Sequence, residues 1–311
     1  MAGEKSKTSG EIGEKIANGL LNRIGWENSL KNVPIKCNTS THVNANGNQR
    51  TSHGEDRIFL YNNPFHDART DIVHVSVKNK LGSYPPSEAA LRREFKEHIA
   101  ELHEIIECAR YSEEISHAAN DFKARKGISH SGLLVWIHND IDDIEKDIKP
   151  VLSKIRLEQE SDVPVYLIDS GRAGFLMKVL DDIERRGTPW NFFYPAVGTA
   201  VTVDEARTGP FLPLELIASD ILPIVTRDGD KTEMILYANQ SFSVDAYRKL
   251  VAYGLKFCSS LVTTIKIGMP DYNAATDAIE ADRARLTFSE RTEKIEPFSF
   301  NRSILTLLSE A

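Results

Sequence analysis

HGEDRIFLYNNPFHDARTDIVHVSVKNK, residues 53–80, decides how the rest of the chain is read. Two apolar runs, residues 57–61 and 72–77, flank a connection rich in Asn, Asp and Pro. β-branched and aromatic runs bounded by turn residues predict a hairpin. Glu55 and Asp56 open the first strand, and the second ends in Lys78 with Lys80 just beyond. Side chains alternate faces along a strand, so Ser76, Lys78 and Lys80 share one face while Val75 and Val77 share the other. An acid at the start of one strand and a lysine at the end of its partner can converge at one end of the hairpin. Metal-assisted phosphodiester cleavage needs that convergence: a carboxylate to hold Mg²⁺, and a lysine to steady the attacking water or the developing charge.

The stretch resembles the core of the PD-(D/E)xK nuclease superfamily. Gly54-Glu55-Asp56 before an apolar strand is similar to that family's Gly-x-Asp entry. Val75-Ser76-Val77-Lys78 resembles its hydrophobic-acid-hydrophobic-Lys segment, with Lys78 22 residues (78 − 56) after Asp56. Ser76 stands where the family carries Asp or Glu. The resemblance implies an α/β fold, a restriction-endonuclease-like mixed sheet flanked by helices, with an additional C-terminal α/β region. It implies a catalytic set of Asp56, Lys78, Ser76 and Glu14, and a Mg²⁺ site (Mn²⁺ as substitute) drawn from Asp56, Glu14 and Asp71. It further implies DNA as substrate in preference to RNA, placement in bacterial anti-phage defence, and a homodimer or a hetero-oligomer with a second nuclease-like subunit. The departure at Ser76 keeps a second reading open, a catalytically degenerate subunit that binds DNA or supports an active partner.

Upstream, residues 1–9 are polar and expected to be disordered. A helix is predicted from Ser9, with Ile12, Ile16, Leu20 and Ile24 at intervals of four and Gly25 ending it. Glu11 and Glu14 fall in its first turns, where the helix dipole favours acids; in the nuclease reading Glu14, deeper in the helix, is the ligand that reaches Asp56. Residues 33–40 predict a first strand, and the Asn- and Thr-rich segment after it a loop in which His42 and His53 read as solvated. Asp67 and Asp71 are rivals to Asp56, Asp67 in a turn and Asp71 at the start of the second strand.

Downstream, Ser87 is a helix cap, and Leu91, Phe95, Ile99, Leu102, Ile106 and Ala109 form one apolar stripe. Arg92, Arg93 and Lys96 lie on its other side, where with Lys80 they are candidate phosphate contacts or partners of Glu88, Glu94 and Glu97. Residues 131–139 predict a buried strand, 141–159 an acidic helix, 163–168 a strand, 173–186 a helix and 190–197 a strand. Residues 170–174 form a glycine-bearing turn that lacks the Walker lysine. Strands near 221–226 and 233–238 meet at an Asp-Gly turn, and helices near 243–257 and 273–287 flank a strand at 262–267. These elements divide into a nuclease-like domain, 10–200, and a C-terminal α/β extension or assembly module, 201–311.

The 311 residues are 41% hydrophobic and 27% charged, ordinary for a globular protein. A net charge of −7 disfavours a passive nucleic-acid coat but accommodates a local basic groove. No apolar run reaches the ~20 residues of a membrane helix, and the N-terminus lacks a signal-peptide core. Three scattered cysteines, Cys37, Cys108 and Cys258, predict a reducing cytoplasm with neither a disulfide framework nor a zinc cluster.

Overall fold

The hairpin forms, and its second strand, paired along its whole length with the strand on its other side, sits at the centre of a five-stranded mixed sheet. The computed structural model describes residues 14–44, 46–80, 82–138, 140, 142–143, 145–157, 161–196, 207–229, 231–258 and 262–301, less the side chains of Lys80 and Cys258. The chain divides into two compact units, Met1–Gly174 and Phe175–Ala311, earlier than the boundary after residue 200 expected from the sequence. The expected disorder of residues 1–9, together with Glu11 and Ile12, lies outside the described residues.

In the first unit the sheet order is β1-β2-β3-β4-β5, comprising β1 Leu30–Lys36, β2 Ser52–Asn62, β3 Arg69–Lys80, β4 Gly127–His138 and β5 Val165–Ile168. β1, β2 and β3 run antiparallel, while β4 and β5 join in parallel. One face carries helix α1, residues 14–23, whose Leu20 and Leu21 are buried and which gives way to Gly25 at φ 88°. That positive φ is accessible to glycine without a Cβ penalty, so the helix stops there. Trp26 then stacks on Phe59 of β2 with ring centroids 4.5 Å apart. The other face carries α2, Glu88–Ala109, and α3, Glu113–Asp121. Ser87 caps α2 by accepting the Ala90 N–H at 3.2 Å, and the stripe read from the sequence packs on Leu134 and Trp136 of β4.

The second unit holds a six-stranded sheet in the order β11-β10-β9-β8-β6-β7. Its strands are β6 Trp190–Phe193, β7 Thr208–Gly209, β8 Ile221–Asp228, β9 Lys231–Ala238, β10 Thr264–Gly268 and β11 Lys294–Phe298. The β8–β9 hairpin turns through Gly229 at φ 57°. Helices α7, Val244–Cys258, and α8, Ala274–Leu286, pack on this sheet through Tyr247, Val251, Ala281 and Ala284. α6, Leu214–Ile217, is a single short turn.

Among the described residues, the acidic helix expected over 141–159 is not formed. Its described part holds only α4, Lys149–Leu152. Asp140 and Asp147 spend their carboxylates on the backbone N–H groups of Asp142 and Lys149, two residues on, the local competition that makes Asp a poor residue inside a helix, while Asp143 accepts the N–H of Tyr84, distant in sequence. The glycine-bearing turn at 170–174 instead opens α5, Ser170–Arg185. Asp169 accepts the N–H groups of Arg172 and Ile148 there, and a side chain at Gly171 would meet Asp147 backbone at 3.1 Å, so that helix start is already filled by protein. His42 and His53, expected in solvent, are only 4% and 2% exposed.

Candidate active site

Pairing between β2 and β3 runs from Asn62↔Thr70 to Arg57↔Val75 and then stops. Beyond that point the Asp56 carboxylate takes the N–H of Val77 at 2.7 Å, so a side chain replaces the backbone acceptor that a continuing ladder would supply. The alternation of β2 is broken at the same place. Glu55 turns to His74 on the α2 side, while Arg57, two residues on, donates to Asn18, Asn22 and the Trp26 carbonyl on the α1 side. Residues two apart on a regular strand share a face, so β2 carries a local distortion centred on Asp56. The distortion presents Asp56 in the gap where the strands part.

A cleft of about 190 Å³ opens at this gap, lined by Glu14, Asp56, Val77, Lys78, Asn79, Glu94, His98 and Trp136. Three of the four residues expected to act together, Glu14, Asp56 and Lys78, meet there. Lys78 donates to Glu101 of α2 at 2.6 Å. Burial pushes the Asp56 carboxyl above its ordinary value, the Val77 N–H and the Lys78 charge pull it back, and the charge of Glu101 adds to the rise. Glu94 sits 3.5 Å from His98, one helical turn away.

The remaining expected residues fare differently. Ser76 is buried and is not among the residues lining the cleft. Asp71 is a correction. It lies seven residues (78 − 71) before Lys78 on the same strand, about 23 Å away at the usual strand rise. There it is buried at the opposite end of the hairpin, held by Asn63 at 2.6 Å and Arg69 at 2.7 Å, and it cannot share an ion with Asp56. Asp67 is exposed in the turn beside it. Arg92 is occupied by the Val151 carbonyl at 3.2 Å and Glu88 at 2.6 Å. Arg93 is 76% exposed, 4.0 Å from Glu97. Lys96 is half-buried, and the Lys80 side chain lies outside those described.

Glu94 and Glu101 are the contributors that sequence reading missed. Both read as surface acids balancing helix cations, because the register of α2 against β3 is a tertiary fact. Their one-turn and two-turn offsets along α2 from residues of the cleft wall leave no mark in local spacing. Together the side chains supply hard oxygen donors beside one lysine. Such a donor set suits Mg²⁺ or Mn²⁺ and does not suit a soft-ligand metal.

A family model described as the GAPS4 protein PD-(D/E)XK nuclease domain matches residues 1–172. No curated protein and no solved structure matches the chain. Among the described residues no helix is long and apolar enough to cross a membrane.

Proposed function

The chain belongs to the PD-(D/E)XK nuclease domain family of GAPS4 proteins, and from that premise we propose that it is a metal-dependent DNA endonuclease of bacterial anti-phage defence, cutting at the cleft between β2, β3 and α2. The observation that carries this reading is the meeting of Glu14, Asp56 and Lys78, three residues far apart in sequence, at one opening of the sheet. Asp56, Glu14 and Glu94 are the residues that would hold Mg²⁺ or Mn²⁺. When bound, such an ion supplies a Lewis acid beside the scissile phosphate and a more acidic water for attack. The chain's own residues do the rest. The Val77 N–H orients Asp56. Lys78 brings positive charge to the cleft wall, and Glu101 engages one of its three N–H donors, which fixes the ammonium in place. We further propose that Glu101 stands in for the acid that Ser76 lacks, entering from the helix instead of the strand. The enzyme would act in the cytoplasm as a homodimer or beside a second nuclease-like subunit.

A specific observation favours a second reading. Ser76 offers no charge, and the Lys78 ammonium is already matched by a carboxylate, which suits a degenerate subunit that binds DNA for an active partner.

Incubation of linear and circular duplex DNA with Mg²⁺ or Mn²⁺ separates the two. Cleavage by the wild type is expected, falling by about 10²-fold or more in Asp56→Ala and Lys78→Ala. Glu101→Gln should fall as far if the helix acid replaces the strand acid. Salt-sensitive binding without any metal-dependent cutting would transfer the case to the degenerate subunit.

A further inference from the structure

On the α2 side of the sheet, away from the cleft-lining set, four soft or borderline donors point at one another. Cys37 follows β1 by one residue, His42 lies in the loop after it, His53 is in β2 and Cys108 is in the last turn of α2. Cys108, His42 and His53 are 1%, 4% and 2% exposed. The two sulfurs are 3.9 Å apart. Nδ1 of His42 is 3.6 Å from the Cys37 sulfur, 3.4 Å from the Cys108 sulfur and 3.3 Å from Nε2 of His53. All four donor atoms lie within 4.8 Å of one another.

Hydrogen bonding does not account for this arrangement. Nδ1 of a neutral imidazole either donates once or accepts through one lone pair, yet here it faces two sulfurs and a ring nitrogen at once. Tetrahedral coordination does account for it. With Zn–S of about 2.3 Å and Zn–N of about 2.0–2.1 Å, the edges of the tetrahedron come to about 3.8 Å for S–S, about 3.6 Å for S–N and about 3.3 Å for N–N. The four separations above agree with these edges to within about 0.2 Å. The outer nitrogen of His42, Nε2, lies 3.2 Å from a carboxylate oxygen of Glu107, the residue before Cys108. A ligating histidine characteristically gives its second N–H to such a carboxylate, which fixes the tautomer and leaves the other nitrogen's lone pair for the metal.

We propose that Cys37, His42, His53 and Cys108 bind one zinc ion in a closed structural site. Two thiolates and two imidazoles in a tetrahedron favour zinc over the hard cations that suit the cleft. All four positions are filled by protein, three donors buried and Cys37 half-buried, which leaves no open position for a substrate, so the ion is a staple and not a second reaction centre. Each thiol gives its proton to solvent as the ion enters. The staple joins the end of β1, the loop of residues 37–51, the start of β2 and the end of α2. Asp56 follows His53 by three residues, and Glu94 and Glu101 ride on the same helix as Cys108. The ion therefore fixes the strand and the helix that form the cleft, without touching it. The proposal runs against the expectation that the cysteines form no zinc cluster, because its ligands come from separate elements and leave no CxxC-like spacing to read.

The test is the metal content of the purified full-length chain, by inductively coupled plasma mass spectrometry after exhaustive desalting. One zinc per chain is expected, lost in Cys37→Ser/Cys108→Ser and kept in Cys258→Ser. Should the double variant fail to fold, the wild type still decides. Replacement by Co²⁺ should give a thiolate-to-metal charge-transfer band with the intense visible bands of a tetrahedral site. Cys37 and Cys108 should resist alkylation until a chelator is added, identified by peptide mapping. A wild-type chain without zinc, a Cys37–Cys108 disulfide in its place, or zinc retained by the double variant would each overturn the proposal.

Discussion

Glu55, the neighbour of Asp56, is fully buried, and its carboxylate meets Nδ1 of His74 at 2.6 Å. His74 in turn meets Nδ1 of His130 through Nε2 at 2.9 Å, with the two rings stacked. Burial pushes the Glu55 carboxyl up, partly offset by His74. Burial, then His74 and Arg110, push His130 down to about 3 from the ordinary 6.5. A folded-state value below the unfolded one means that the unfolded chain takes up the proton first. The stability that His130 contributes is thus complete above 6.5 and is lost as pH falls from there toward 3. Thermal unfolding followed across that interval should show the wild type losing stability on acidification, with a flatter profile in His130→Gln. Equal slopes would mean that the imidazole titrates freely. Asp56 and Lys78 were legible from residue identity alone, because an acid before and a lysine after two apolar runs can hardly lie elsewhere in a hairpin. The Glu55–His74–His130 chain was not, since a strand distortion brings Glu55 to the face of His74.

At the scale of elements, α2 does most of the positioning. It carries Glu94 to the cleft, Glu101 to Lys78 on its wall, Glu107 and Cys108 to the proposed zinc site, and the stripe that covers β4. The helix can lie so close because β4 has Gly132 beneath it. A Cβ at Gly132 would come within 2.8 Å of the Leu102 side chain and 3.0 Å of Val165. Gly132→Val should therefore overpack the interface at a cost of about 1–3 kcal/mol, read as a lower urea midpoint at unchanged slope. Lifting α2 separates Glu101 from Lys78, so activity should fall by more than the loss of folded protein explains. An unchanged midpoint would mean that the helix rides higher than described. The helix itself was plain in the sequence, because its cap and its apolar spacing are local signals. The register that aims Glu101 at Lys78 is set by Gly132, Leu102 and Trp136 across two elements, and no local pattern encodes it. The expected helix over 141–159 fails on both counts, Asp147 taking a backbone N–H two residues on and Asp143 one from distant Tyr84.

Across the whole molecule, the family match over residues 1–172 ends two residues before the first compact unit does at Gly174, which leaves the six-stranded sheet of the second unit outside it. The net charge of −7 gives no general attraction to phosphate, so the proposed DNA affinity would rest on few local cations. Of those expected to serve, Arg92 is bound to Val151 and Glu88, and Arg93, at 76%, is the most exposed among the described side chains. Each phosphate neutralised contributes about −0.9 to the slope of log affinity against log salt. Duplex binding by fluorescence anisotropy should accordingly show a shallow slope, about −2, that nearly vanishes in Arg93→Ala/Lys96→Ala. A steep slope insensitive to those substitutions would move the phosphate contacts to other cations, the second unit's included. A shallow slope with weak affinity is what a chain needs if a partner subunit supplies most of the grip on DNA. Adding that partner would then steepen the slope without any change in the residues of this cleft.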